Sequence, residues 1–271
     1  MNSLIRDHRL SVFFVLAFLL SWYPWVLALV QGRTTGPNPL GPLVAGIILT
    51  AIAYGRPGLR QFFARIVRWR VGFRWYAIAF GLPIAVCLGA VGITFVSLKS
   101  VTISPLSVDK IRELPERFLF ILLFIGLGEE PGWRGFALRE LQSRFSATKA
   151  SLLLAPIWTI WHLPLIGNEF AWPIVPAFVV SVFGATFMQT WLFNRTNESV
   201  LLPMLFHATV NAVGAGIIFP LFSGPSFLLL WWIYSLLWLL IGLGLVVRDQ
   251  RIRTIRQSEM QVALPNQRFQ T

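Results

Sequence analysis

The chain has 271 residues, of which 56% are hydrophobic and 13% are charged, about half the charged fraction of an ordinary soluble domain. The net charge is +12, but the long apolar runs leave no soluble basic domain to carry that charge, which excludes nucleic acid as a partner. Composition therefore predicts a single all-α transmembrane domain over residues 1–271, with membrane lipids as its surroundings.

Apolar windows of about 20 residues, long enough to cross a hydrocarbon core of about 30 Å, mark the predicted transmembrane helices. They lie at residues 10–31, 39–54, 72–98, 118–138, 150–167, 172–193, 200–221 and 224–247, which makes about eight spans. The Arg-rich segment 56–70 is predicted to be an amphipathic helix on an anionic lipid surface. The polar tail 248–271 is predicted to be cytoplasmic and unstructured.

The Lys and Arg residues divide unequally between the two sides that eight spans define. Five of the 23 fall on one side, namely Arg33, Lys99, Lys110, Arg112 and Arg117, and the other 18 share the side of both chain ends. Because cytoplasmic loops are enriched in Lys and Arg, both ends are predicted to be cytoplasmic. We expect a multi-pass integral membrane protein.

Strongly polar side chains interrupt three of the apolar segments. They lie in "GLGEEPGWRGF" (residues 126–136), in "WTIWH" (158–162) and in "HATVN" (207–211). With a helical rise of about 1.5 Å per residue, Glu129, His162, His207 and Asn211 all lie about 10 to 18 Å from the cytoplasmic edge. Ionisable groups at that depth normally face a protein interior or a water-filled cavity, so we expect a functional site there.

The spacing within each motif adds local detail. His207 and Asn211 are four residues apart and share a helix face, as do Trp158 and His162, with Trp158 forming a wall. Pro131 and Gly132 interrupt the stretch between Glu130 and Arg134, which predicts a kinked or broken helix with its freed carbonyl groups turned to a cavity. Arg134 is expected to neutralise one carboxylate and to leave the other free to act as a base.

The three motifs, in this order, resemble those of the CPBP intramembrane proteases, the family of CAAX proteases and bacteriocin-processing proteins. Those motifs run Glu-Glu-x-x-x-Arg, Phe-x-x-x-His and His-x-x-x-Asn, and the endopeptidase that trims prenylated CAAX termini belongs to the family. The variant "GEEPGWRGFAL" is similar to a bacterial subgroup. The resemblance makes residues 118–215 the expected catalytic core, and Trp158 departs from it because it stands where the family usually has Phe.

The resemblance implies a role for each matching residue. Glu129 matches the general base that activates a water molecule, with Glu130 and Arg134 as its supports. His162 matches the residue that helps hold that water, and His207 and Asn211 match the oxyanion site. Trp158 is expected to contact the substrate, a membrane-associated peptide or protein that is lipidated or bacteriocin-like.

The residues are consistent with peptide hydrolysis, which needs an activated water, donors for the oxyanion and an acid for the leaving amine. Ser151, Ser181 and Cys87 lie outside any motif, which disfavours covalent catalysis. Whether a metal takes part stays open. Catalysis without a cofactor is preferred, and the alternative is a divalent metal such as zinc, with its ligands drawn from Glu129, Glu130, His162 and His207.

Two other functions fit the same polar residues. A proton-coupled transporter also uses buried acids and histidines, although spans one to three offer no counterpart of the polar segments. A non-catalytic immunity or partner protein could share the scaffold, although the complete set of motifs argues against it.

Overall fold

The computed structural model describes residues 8–263, with side chains described for residues 8–249. Over these residues it is helical and contains no strand, which confirms the all-α, multi-pass class. Three long helices come first, α1 (Arg9–Val30), α2 (Gly41–Ile66) and α3 (Phe73–Ser97). Helix α2 changes direction at Gly55, whose φ of 61° lies in the left-handed region that glycine tolerates. Residues 56–66, the first part of the Arg-rich segment, are therefore a helical arm set at an angle.

The next part of the chain carries the first motif. A short helix α4 (Val108–Arg112) precedes α5, our name for the uninterrupted helical run 114–142. Within α5, α-helical turns alternate with two π-helical segments, Ile121–Gly126 and Pro131–Leu138. Glu129 and Glu130 lie in the α-helical turn between them.

The remaining helices carry the other motifs. Helix α6 (Ala147–Trp161) is followed by two 3₁₀ turns, Leu163–Leu165 and Trp172–Ile174. Helix α7 (Val175–Arg195) leads to α8, which begins as an α-helix at Leu201–Thr209 and continues as a π-helix at Val210–Ile218. After a 3₁₀ turn at Phe219–Leu221, α9 (Gly224–Ala263) completes the fold.

Helix α9 extends past the boundary that the sequence suggested. It continues to Ala263, whereas the predicted unstructured tail begins at residue 248. The last eight residues of that tail, 264–271, lie outside the described residues.

Six helices of the described chain are long and apolar enough to cross a membrane. They correspond to six of the eight predicted spans, and the structure does not confirm the count of eight. The segment predicted at 118–138 is helical but carries Glu129, Glu130 and Arg134 at its centre. The one predicted at 150–167 ends at Trp161 after 15 residues, about 22 Å of helix against a core of about 30 Å.

Helices α5 and α6 nevertheless form an antiparallel pair. They pack together and are joined by the short connection 143–146. A helical hairpin returns the chain to the side of the membrane from which it started. Helix α7 therefore begins on the same side whether or not α5 and α6 cross the membrane. The later helices therefore keep their predicted sides, but Arg134, Arg139, Arg144 and Lys149, which were counted as cytoplasmic, lie on that side only if the pair crosses the membrane.

Two glycines of α5 allow this helix to pack closely against the start of α2. A Cβ atom on Gly128 would lie 2.5 Å from the carbonyl oxygen of Pro39, and one on Gly132 would overlap the backbone of Pro42. Small residues four apart on one face allow helix backbones to approach closely, as in the GxxxG pattern of membrane helices. This contact fixes the rotation of α5 about its own axis and so decides where the two glutamates point.

Proline 131 does not break α5 as predicted. Glu130 and Pro131 both keep helical dihedral angles, with φ of −62° and −60°. The helix instead widens into a π-helix from Pro131 onwards, and such widenings are frequent at functional sites. The expected break of the helix is therefore wrong.

The core lies between two groups of helices. Helices α1, α2 and α5 pack on one another. The second group is a ring in which each helix packs on the next, in the order α5, α6, α7, α9, α3 and α8. Aromatic side chains fill the contact between α1 and α5, where the ring centroids of Phe13 and Trp133 lie 5.7 Å apart. The ring of helices surrounds the functional site.

Candidate active site

Glu129 and Glu130 point in different directions because consecutive helical residues are turned by about 100°. Both are buried, with 3% and 0% of their surface exposed. Glu129 lines a cavity inside the ring of helices, whereas Glu130 points away from that cavity into packed protein. The helix thus gives two adjacent carboxylates two separate environments.

Glu130 is the centre of a buried polar cluster. Arg134 Nη1 lies 3.0 Å from each of its carboxylate oxygens and donates a hydrogen bond to Oε1. His207 Nδ1 lies 2.7 Å from the same Oε1, which joins α5 to α8 across 77 positions of sequence. The side chains of Glu130 and Arg134 are fully buried, so this ion pair is held apart from water.

Glu129 has a single hydrogen-bond donor among the described side chains. Trp158 Nε1 on α6 donates to Glu129 Oε2 at 2.9 Å. The ring of Trp158 also lies against the guanidinium of Arg134, 4.1 Å from Cζ to the ring centroid, a distance at which a cation–π contact is favourable. Trp158 therefore does more than line the cavity, because it connects the base candidate to the ion pair behind it.

His162 caps the end of α6, with φ of −80° and ψ of 1°. Its Nδ1 lies 2.7 Å from the carbonyl oxygen of Trp158. A carbonyl only accepts hydrogen bonds, so Nδ1 carries the proton and Nε2 of the neutral ring is an acceptor. That tautomer suits a residue that accepts a hydrogen bond from a water molecule in the cavity.

His207 and Asn211 face the same cavity from α8. Because His207 Nδ1–H is directed at Glu130, the neutral ring has no second N–H and only a protonated His207 can donate through Nε2. Asn211 lies in the π-helical part of α8, and its amide makes no hydrogen bond to the described part of the chain. The amide of Asn211 is therefore the donor that is present in either charge state of His207.

The cavity has a volume of about 630 Å³. Its wall includes Glu129, Trp158, His162, His207 and Asn211, and most of the remaining wall is aromatic or aliphatic. It is large enough for a ligand of drug or short-peptide size, and it has the usual combination of an apolar wall with a few converging polar groups.

The structure brings all seven residues singled out from the sequence into one site. Five line the cavity, and Glu130 and Arg134 lie immediately behind it. Sequence reasoning missed other polar groups of the wall, chiefly Gln189 on α7 and Glu169 after α6. Gln189 could have been found as an amide within an otherwise apolar span. Glu169, by contrast, lies in an irregular segment where no sequence pattern indicates a functional residue. Burial raises the pKa of its carboxyl group.

The four donors considered for zinc do not form a metal site in this arrangement. Among the described residues no three His, Cys, Asp or Glu side chains are grouped so that they could hold a metal ion. The reason is visible at Glu130, whose carboxylate is bound by Arg134 and His207 and is turned away from Glu129. The residues present therefore do not fit a four-ligand zinc centre.

Comparison with known proteins gives the motifs a family. Residues 113–213 match the family model described as "Type II CAAX prenyl endopeptidase Rce1-like". Over these residues the chain is similar to the Rce1-like family. The Rce1-like segment contains all the motif residues, and it coincides closely with the catalytic core expected over residues 118–215.

A curated relative agrees with this assignment. The Rce1-like segment is similar to CAAX prenyl protease 2 of Methanococcus maripaludis, with 36% identity over 102 residues. The similarity covers 34% of this chain, and the chain spans 38% of the length of that relative. The resemblance seen in the three motifs is thus confirmed for the middle of the chain.

Proposed function

We propose that the protein is an intramembrane endopeptidase that hydrolyses a peptide bond of a membrane-associated substrate. One observation carries the proposal. Glu129, His162, His207 and Asn211, from three separate helical segments, line a single cavity within a bundle of apolar helices. The similarity of residues 113–213 to the Rce1-like family supports the same reaction.

In the proposed reaction Glu129 is the general base. A water molecule donates one hydrogen bond to Glu129 and another to His162 Nε2, which aims its oxygen at the substrate carbonyl carbon. As the oxygen–carbon bond forms, the water proton passes to Glu129. The same proton is then given to the leaving amine when the carbon–nitrogen bond breaks.

Asn211 and His207 stabilise the oxyanion that forms during this attack. The amide of Asn211 donates directly, and protonated His207 donates through Nε2 while Glu130 accepts from Nδ1. The ion pair of Glu130 with Arg134 holds the ring of His207 in place. Trp158, bonded to Glu129 and stacked on Arg134, positions the base against this support.

We propose that this reaction needs no metal. The proposal is supported by the arrangement of the donors, since the carboxylate of Glu130 is engaged by Arg134 and, in the described part of the chain, no three of the four donors are grouped so that they could hold a metal ion. Cleavage that is unchanged by chelators such as EDTA and 1,10-phenanthroline is the expected result. Loss of cleavage with chelator, restored by zinc, would contradict it.

The proposed substrate is a peptide with a lipid anchor or an apolar segment. Phe120 and Phe124 of α5 line the cavity and are also half exposed on the outer surface, so an apolar chain can contact both. The name of the Methanococcus maripaludis relative, a CAAX prenyl protease, favours a lipidated peptide. A bacterial cytoplasmic membrane with both chain ends in the cytoplasm is the proposed location, because the Lys and Arg residues are concentrated on that side.

A cleavage assay with the protein reconstituted in lipid nanodiscs tests the proposal. The peptides are a farnesylated peptide with a CAAX terminus, the same peptide without lipid, and a bacteriocin-like peptide, with products identified by mass spectrometry. Glu129→Gln is expected to lower cleavage by about 10²- to 10⁴-fold, the usual contribution of a general base. Glu116→Gln, the same change at an exposed carboxylate near the start of α5 and outside the cavity wall, is the matched control and retains cleavage.

The result also separates the rival functions. Wild-type protein that folds and cleaves none of the peptides would contradict the peptidase. If such a protein instead moves protons or a solute across proteoliposome membranes in a manner that depends on Glu129, the transporter is favoured. Equal cleavage by wild-type and Glu129→Gln protein would show that another group acts as the base.

A further inference from the structure

Helix α7 carries none of the motif residues, yet it places a buried amide in the wall of the active-site cavity. Gln189 lines the cavity and has 1% of its surface exposed. Its Oε1 has no hydrogen-bond donor in the described part of the chain. The hydroxyl of Ser181 on the same wall, by contrast, already donates to the carbonyl oxygen of Phe178 at 2.7 Å.

Gln189 belongs to a continuous face of α7 that runs along the cavity. That face consists of Phe178, Ser181, Val182, Ala185 and Gln189, with the spacing of one helical stripe. At one end of the stripe the ring of Phe178 lies 5.3 Å from the ring of His162. Gln189 is at the other end, about 16 Å further along the helix axis.

The level of Gln189 along the bundle matches that of His207. Gln189 lies six residues before the end of α7 at Arg195, and His207 lies six residues after the start of α8 at Leu201. The two helices are joined by residues 196–200 and pack together in opposite directions. Both side chains are therefore about 9 Å from the same connecting turn, on facing helices.

An unpaired amide in such a place needs a polar ligand, because burying an amide oxygen without a donor is costly. The amide is neutral, so it does not select for a charged group, and an apolar lipid chain offers it no hydrogen bond. A peptide group offers one N–H donor and one C=O acceptor, the complement of a glutamine side chain. Resting on the proposed function, we infer that Gln189 binds a main-chain peptide group of the substrate next to the scissile bond.

This interaction explains what α7 contributes to the reaction. Glu129, His162, His207 and Asn211 supply the chemistry, whereas the amide of Gln189 holds the extended substrate backbone across the cavity. Backbone recognition does not depend on substrate side chains. Gln189 therefore sets the register of the peptide and leaves its sequence free.

Substitutions at Gln189 and at its neighbour Thr190 separate binding from folding. Gln189→Met keeps the side-chain length but removes the amide, and we expect its melting temperature to equal or exceed that of wild type, since no partner is lost. Thr190→Val is the matched control on the same helix. The Thr190 hydroxyl accepts a hydrogen bond from the Ser151 hydroxyl at 2.8 Å and lies outside the cavity wall. Thr190→Val is therefore expected to lower stability and to leave peptide binding unaltered.

Binding is measured without hydrolysis, in a Glu129→Gln background, by fluorescence anisotropy of the labelled farnesylated CAAX peptide. Gln189→Met is expected to weaken binding by about tenfold, the equivalent of one hydrogen bond. The peptide is then made with each main-chain amide after the cysteine replaced in turn by an ester, which lacks the N–H. One ester is expected to weaken binding to protein with Gln189 by a similar factor and to leave binding to Gln189→Met unchanged.

The outcomes are distinct. Loss of affinity with intact folding, together with disappearance of one ester effect, supports the assignment. Equal affinity, ester effects that persist in Gln189→Met, a lowered melting temperature that accounts for the loss, or no peptide binding at all would overturn it. Peptide that binds but is not cleaved by wild type would count against the proposed hydrolysis alone.

Discussion

Replacing Arg134 by methionine removes one charge from a fully buried pair and keeps most of the side-chain volume. Both partners have no exposed side-chain surface, and Nη1 of Arg134 lies 3.0 Å from the carboxylate of Glu130. Breaking such a pair costs about 3 to 5 kcal/mol, because the remaining carboxylate is left without a neutralising charge. The contact of Arg134 with the ring of Trp158 adds up to about 2 kcal/mol.

The double variant shows whether charge or packing is responsible. Glu130→Gln together with Arg134→Met removes both charges, and the amide oxygen of Gln still accepts from His207 Nδ1. The double variant is therefore expected to be more stable than Arg134→Met alone, with a coupling of about 2 to 3 kcal/mol between the two positions.

Unfolding in mixed micelles measures these free energies. The purified variants are titrated with SDS, and tryptophan fluorescence and circular dichroism report the transition. Cleavage is measured in parallel, and both single variants, Glu130→Gln and Arg134→Met, are expected to lose it, because each leaves one charge of the pair unneutralised beside the ring of His207. A coupling near zero, or an Arg134→Met protein as stable as wild type, would refute the view that the pair is held by its charges.

Three further results are expected. Gly132→Ala is expected to prevent folding or to lower the melting temperature strongly, because the new Cβ overlaps the start of α2; Gly92→Ala, in open space on α3, is its control and is expected to be stabilising by about 1 kcal/mol. Trp158→Phe keeps an aromatic ring on the guanidinium of Arg134 and loses only the indole N–H donor, so cleavage is expected to fall by less than about tenfold. Trp158→Leu loses both contacts, and its cleavage rate is expected to fall further. Asn211→Ala is expected to lower kcat by about 10²- to 10³-fold with little change in KM, as for the removal of an oxyanion donor.

Each of these predictions has a contrary result. Normal folding of Gly132→Ala would mean that α5 and α2 are further apart than described. Equal activity of the Phe and Leu variants at position 158 would show that the aromatic ring is unimportant. A raised KM with unchanged kcat for Asn211→Ala would assign that amide to substrate binding instead of the oxyanion.

The sequence by itself determined the membrane helices and the depth of the motifs. Hydropathy is a property of consecutive residues, so six spans appear in the structure, and apart from the second, whose helix continues past Gly55 to Ile66, they lie within a few residues of their predicted bounds. The depth of a side chain follows from counting along a helix, which placed Glu129, His162 and His207 in one slab before any contact was known. For the two central motif segments the same reasoning does not fix the number of spans, since the count depends on whether a polar helix crosses the lipid or ends inside the protein.

Only the tertiary structure decided which groups meet. Rotation of a helix about its axis is set by packing, here by the glycines of α5 against α2, and this rotation sends Glu129 into the cavity and Glu130 to His207. The continuation of α5 through Pro131 as a π-helix also depends on neighbours, because isolated proline favours a break. The place of Gln189 in the cavity wall comes from the packing of α7 on α6 and α9. Spacing along the sequence shows which residues share one face of a helix, but it does not show which neighbouring helix that face contacts.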